Sequence, residues 1–364
     1  MNIPRQVSPR LLATLAAACL VTALPLTRAA AQDAPAKPQS PNGKIVFQST
    51  QGSDGFTNDI YVMAADGKHQ TRLTDDTADD VSAVWSPQGD RIAFLSSRRG
   101  NGYEIYLMNP DGSDQRPLRE ASPVVPFSAF RWSPDGTRLA YANSGSVYVI
   151  AVDGISAPVN VSVYKSPDSS DTDPNWSPLG DKLVVLNFTA CGGCSDLYVV
   201  NASDGSGRYQ LSTGTGFDAS PRWAPAGDLI AYEGDRAPYG RGLYVTPADG
   251  MGPETLVSGG AGSFGGPAWS ADGSRLAFRS GVGVPHAVNA DGSGLTPLTD
   301  VQSTTGDIFW SPDGSLVAFH NSNADGWVDI FVVASDGTSR RAANYTKTRR
   351  ADEFAYSWQK LPTP

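Results

Sequence analysis

Trp310-Ser-Pro-Asp-Gly is the last of six copies of one short sequence. Trp85-Ser-Pro-Gln-Gly, Trp132-Ser-Pro-Asp-Gly, Trp176-Ser-Pro-Leu-Gly, Trp223-Ala-Pro-Ala-Gly and Trp269-Ser-Ala-Asp-Gly precede it, and a bare Trp358 follows. Successive tryptophans stand 47, 44, 47, 46, 41 and 48 residues apart. A period of about 40 to 50 residues means that each repeat is one supersecondary unit that buries its apolar faces only by stacking on its neighbours. β-Propeller blades have that period.

Each copy is followed by a short apolar run: Ile92-Ala93-Phe94, Leu139-Ala140-Tyr141, Leu183-Val184-Val185, Leu229-Ile230-Ala231-Tyr232, Leu276-Ala277-Phe278 and Val317-Ala318-Phe319. A second run comes next, such as Ile60-Tyr61-Val62, Ile105-Tyr106-Leu107, Leu243-Tyr244-Val245 and Ile330-Phe331-Val332, and an Asp-Gly pair closes it. Short β-branched and aromatic runs bounded by Gly, Pro and Asp read as strands. Pro pre-sets the first turn position and Gly supplies the positive φ that ends it, so Ser-Pro-Asp-Gly is a hairpin connection. Consecutive apolar residues require burial on both faces, which stacked blades provide.

With the strands of a unit called a to d and the tryptophan at the end of a, the chain opens at Ile45 with b, c and d. Ala355-Tyr356-Ser357-Trp358 arrives alone at the other end. The sequence therefore predicts an all-β, seven-bladed β-propeller of four-stranded blades, closed by the C-terminal strand completing the N-terminal blade. Such closure leaves no free sheet edge.

Outside the repeats, Arg5 and Arg10 precede an apolar stretch that ends at Ala29-Ala30-Ala31, the pattern of a secretory signal over residues 1–31. That stretch is too short for a permanent span. Residues 32–42 read as a flexible Pro- and Ala-rich tether, 43–360 as the propeller and 361–364 as a tail. Removing the signal takes Arg5, Arg10 and Arg28 and no acid, so the formal charge moves from −9 to −12. An acidic exported chain is a poor nucleic-acid ligand. Cys191 and Cys194, between two strand-like runs, read as a local disulfide in an oxidising compartment. They lack the helix N-terminus that a redox-active pair needs.

At these residues the chain resembles the propeller of the TolB family, in which Trp-Ser-Pro-Asp-Gly is paired with Ile/Leu-Ala-Phe/Tyr and an Ile-Tyr-Val strand. The resemblance covers roughly residues 43–360. It implies a protein-binding role in the cell envelope, since TolB works in a Tol-Pal complex. The chain departs from that family in counting seven units rather than six, and the stretch ahead of its first repeat is too short for the family's separate N-terminal domain.

Chemistry is sparse. Prolyl-oligopeptidase relatives need a Gly-x-Ser-x-Gly elbow, which is absent from the sequence. Of three histidines, His286 takes the slot held elsewhere by Tyr or Phe, His69 follows an exposed turn, and His320 ends a b strand near the loops. An acid recurs five residues before the tryptophan, as Asp80, Asp171, Asp218 and Glu353, with Asp79, Asp173, Asp307 and Asp352 close by. This ring either caps local turns or focuses a negative potential at the channel mouth, attracting a cation or a basic segment. Asn321, Asn323, Asp325 and Asp329 have the alternating spacing of a calcium loop but lack its closing acid, and a polar hairpin fits as well. Calcium is thus the only cofactor candidate.

The face shared by the b–c loops and the d-to-a crossings would carry Arg98, Arg99, Tyr103, the Cys191–Cys194 loop, Arg236, Tyr239, Arg241 and Trp327, the kinds of side chain that anchor interfaces. The sequence thus predicts a non-catalytic monomer, periplasmic or secreted, that binds another envelope or secreted protein at the channel-mouth face. The alternative is a propeller enzyme or carbohydrate-binding protein with a divalent cation at the acidic mouth.

Overall fold

The apolar runs form strands as their composition dictates, and the strands fall into seven antiparallel sheets of four. The computed structural model describes residues 42–361 apart from 52–56, 101, 120–129, 164, 190–193, 213–215, 237–239, 260–265, 282, 302–304, 323–326, 339–342 and 345–352. Six sheets take their a, b, c and d strands in sequence order. The remaining sheet joins the C-terminal strand (Glu353–Lys360) to the first three strands of the described chain, with Ile45 opposite Trp358 and Ser49 opposite Glu353. The ring closes as the lone C-terminal tryptophan predicts.

Seven separate apolar clusters fill the seven interfaces between neighbouring blades. One of them packs Phe47 and Trp358 of the first blade against Ile330 and Val332 of the last, so the seam is as dry as the other joints. Every sheet is covered on both faces, which explains why its b strands run apolar without alternation.

The tryptophans stitch one blade to the next. The Nε1–H of Trp132 donates to the carbonyl of Val84 at 3.2 Å, Trp176 to Arg131 at 3.0 Å, Trp269 to Arg222 at 3.0 Å and Trp310 to Ala268 at 2.9 Å. Each acceptor is the residue just before the tryptophan of the preceding blade. At two joints a side chain replaces the indole: Asn175 accepts from the backbone N–H of Trp223 at 2.8 Å, and Ser357 from that of Trp85 at 2.9 Å. The buried Nε1 of Trp85 has no acceptor.

In the turn that follows, the serine works twice. Ser133 Oγ accepts from the Arg138 amide at 2.9 Å, and its carbonyl accepts from Gly136 at 2.9 Å. Gly136 has φ 68°, a left-handed conformation that favours glycine. Gly43 is required for a different reason, because a Cβ there would lie 2.4 Å from the carbonyl oxygen of Gln359 in the closing strand.

Candidate functional site

Strand pairing sets which loops share a face. Asp80, Asp171 and Asp218 begin their a strands opposite Ser96, Asn187 and Gly234 at the ends of b strands. The b–c loops and the starts of the a strands therefore lie together, as the repeat predicts. Two residues further along, each of these a strands bulges, and Ser82, Asp173 and Ser220 take φ of 56°, 44° and 53°. Left-handed non-glycine residues in bulges re-aim side chains and are frequent near sites.

Three acids of the ring do not stand open to the channel mouth. Asp80, Asp171 and Asp218 are fully buried, and each is matched by an arginine. Arg98 lies 2.8 Å from Asp80 and 2.6 Å from Asp76, with its guanidinium over the rings of Phe94 and Tyr106 at 5.5 and 5.2 Å. Arg236 repeats the arrangement 2.7 Å from Asp218 and 3.0 Å from Glu254, over Tyr232 and Tyr244 at 5.6 and 5.5 Å. Both pairs are 18 residues apart in sequence, the spacing that brings the start of strand a to the end of strand b. Arg208 grips both oxygens of Asp171 at 2.9 Å and covers Tyr198 at 4.2 Å, while Asn187 donates to the same carboxylate at 2.6 Å.

Burial raises the Asp80 carboxyl above its usual range, and it pushes Asp218 up to about 6 against the pull of Arg236. Burial works against the charge on Arg236, yet hydrogen bonds to Glu254 and Asp218 hold its pKa above the ordinary value. Arg98 and Arg236, expected as exposed anchors, retain 20% and 12% side-chain exposure because the carboxylates and ring faces occupy them. They hold the a strand to the b strand. Asp79 accepts from the amide of Asn58, 21 residues away, at 2.7 Å and from the Tyr103 hydroxyl, so it ties separate loops together rather than capping its own turn.

The other expected residues are scattered. Tyr239, Cys191, Asn323 and Asp325 and the side chain of Glu353 lie outside the described residues. Cys194 is disulfide-bonded. Trp327 is half-buried just before the c strand of the last blade, where Asp329 is buried opposite Asn321. His286 stacks on Phe278 at 5.7 Å, the packing role that its slot implies. His320 is 2% exposed between Phe309 and Phe354, so it belongs to the last joint of the ring rather than to a binding face. Among the described residues, no group of three or more His, Cys, Asp or Glu could hold a metal ion, and no helix is long and apolar enough to cross a membrane.

Two features were not foreseen. On the b–c face, Phe188 packs on Phe217 with centroids 6.3 Å apart, and Arg241 lies 5.1 Å over Phe217. Phe188 is 36% exposed, and Ser195 at the start of the fourth blade's c strand bridges to Phe217, just ahead of the fifth blade's first strand. A cleft of about 660 Å³ is lined by Asn187, Tyr198, Arg208 and Gln210 among others. Phe188 departs from the sequence pattern, standing where the second and fifth blades carry the polar Ser97 and Asp235, and that departure was the available signal.

The TolB beta propeller domain model matches residues 101–261. Tol-Pal system protein TolB of Bordetella pertussis is 31% identical over 184 residues, which is 49% of this chain and 40% of that protein. The match thus spans less than half the length of that relative. The solved TolB of Acinetobacter baumannii superposes with a TM-score of 0.51 at 17% identity, covering 69% of this chain and 62% of that one. An oligogalacturonate lyase in complex with manganese superposes with 0.62 at 16% identity, covering 84% and 85%. At such identities the structures establish a shared fold. By its repeat and its architecture this chain is a seven-bladed β-propeller, and over residues 101–261 it is similar to the TolB beta propeller domain.

Proposed function

We propose that this propeller is a non-catalytic scaffold of the periplasm or the secreted fraction, exported by its first 31 residues, that binds another envelope or secreted protein through its b–c face. The observation that carries the reading is the cluster of Phe188, Phe217 and Arg241. A partly exposed aromatic pair capped by a guanidinium at the strand ends is the composition of an interface hot spot. The match to a Tol-Pal system protein supports the same role. The opposite face consists of near-identical tight turns.

The test is capture from an envelope extract with the full chain, a Phe188→Ala/Phe217→Ala/Arg241→Ala variant, and Leu179→Ala on the opposite face, where Leu179 is 88% exposed. The expected result is a defined protein retained by the wild type and by Leu179→Ala but lost from the triple variant. The same proteins on all three columns would refute the assignment of the face.

A further inference from the structure

At the register just before the tryptophan, the innermost strands carry Val84, Ala268 and Phe309 in three blades but Arg131 and Arg222 in the third and fifth. The innermost strands of successive blades surround the axis, and these two arginines keep 23% and 18% side-chain exposure there. Asp173, on the bulge of the blade between them, stands 3.9 Å from Arg131 and 3.5 Å from Arg222. Both separations exceed the roughly 2.7–3.2 Å of a direct N–H···O bond. One carboxylate thus pairs loosely with two guanidiniums and makes a direct hydrogen bond to neither.

The two arginines are held alike. Each donates Nη1 to the carbonyl of the preceding residue, Arg131 to Phe130 at 3.2 Å and Arg222 to Pro221 at 2.9 Å. Among the described residues, their remaining N–H groups make no hydrogen bond to protein. Burial and the nearby charge of Arg222 lower the pKa of Arg131, opposed by Asp173 and by Asp307 from the last blade. The charge of Arg131 is therefore undercompensated where it stands.

We infer that the channel holds a carboxylate-binding site, formed by Arg131 and Arg222 around Asp173, that receives an acidic segment of a protein partner. This rests on the protein-binding reading and gives that partner a chemistry. Planar guanidiniums with spare donors match a carboxylate by paired hydrogen bonds. Val84, Ala268 and Phe309 share that level with Asn175 and Ser357, so charge complementarity to the two guanidiniums is what selects an acidic segment. The surrounding chain carries net charge −9, so an anion that binds is held by a local site and not by the overall field.

The probe is a fluorescein-labelled pentaglutamate, compared with pentaglutamine, titrated with the full chain and read by fluorescence anisotropy. Pentaglutamate should bind and pentaglutamine should not. Arg131→Gln and Arg222→Gln should each weaken binding about tenfold, the loss of one charge-assisted contact. Asp173→Asn should tighten binding several-fold by freeing both guanidiniums, which keeps the test decisive if an arginine variant unfolds. Unchanged affinity in Arg131→Gln/Arg222→Gln, or weakened binding in Asp173→Asn, would overturn the site. Stronger binding of trigalacturonate than of pentaglutamate would overturn the peptide occupant. If the envelope partner is captured but pentaglutamate does not bind, the site fails while the protein-binding reading stands. Peptide binding with an empty capture column would do the reverse.

Discussion

Trp85→Phe and Trp132→Phe are the same chemical change in equivalent turns, yet they should differ sharply in cost. Trp85 is 4% exposed and Trp132 8%, so each loses a similar apolar area, about 1 kcal/mol at ordinary transfer values. Trp132 donates to the carbonyl of Val84 at 3.2 Å, and replacing the indole orphans that acceptor at about 1–3 kcal/mol. The Nε1–H of Trp85 is already buried without an acceptor, so removing it relieves a penalty of the same order. Trp132→Phe should therefore destabilise the fold by about 2–4 kcal/mol, while Trp85→Phe is near neutral or mildly stabilising. Urea unfolding followed by circular dichroism measures both, with equal slopes confirming that the same surface is exposed. Equal losses in the two variants would refute the claim that the repeated tryptophan serves as a hydrogen-bonded stitch between blades.

Three further outcomes follow from the same geometry. Gly43→Ala places a Cβ 2.4 Å from the Gln359 carbonyl and should cost about 1–3 kcal/mol, with proteolysis near the C-terminus faster than in wild type; unchanged proteolysis would argue against the closing strand. Arg98→Met strands the buried Asp80 carboxylate and should cost about 3–5 kcal/mol, whereas Arg98→Met/Asp80→Leu should recover most of it, a coupling read from a double-mutant cycle. Asp218 has a folded pKa of about 6 against about 3.9 in the unfolded chain, so its stabilising contribution is full below pH 4 and lost as pH rises through 6. That window is worth about 3 kcal/mol, and Asp218→Asn should flatten the dependence of stability on pH between 4 and 6.

The architecture was legible because repetition reports it directly. Six Trp-x-x-x-Gly turns and a stray Trp358 specify blade count and closure, and local turn chemistry agrees with the global fold at every copy. The site was less legible, and Asp80 shows why. An acid at a strand start reads the same in sequence whether it faces water or an arginine, and its partner Arg98 comes from the end of the next strand. Only the register of strands a and b brings them together and turns an expected open charge into one half of a buried ion-paired clamp. His320 fails similarly, since a b-strand end can point into the joint between blades as well as toward the loops. Arg131 and Arg222 carried a signal that could have been read, two charges at a position filled by the uncharged Val84, Asn175, Ala268, Phe309 and Ser357 in the other blades.

The most direct test of a protein-binding b–c face is photocrosslinking in the cells that make the chain, with benzoylphenylalanine in place of Phe188 or, on the opposite face, Leu179. Adducts of one defined mass from position 188 and none from position 179 are the predicted result. Adducts from position 179 alone, or the same adducts from both, would contradict the account.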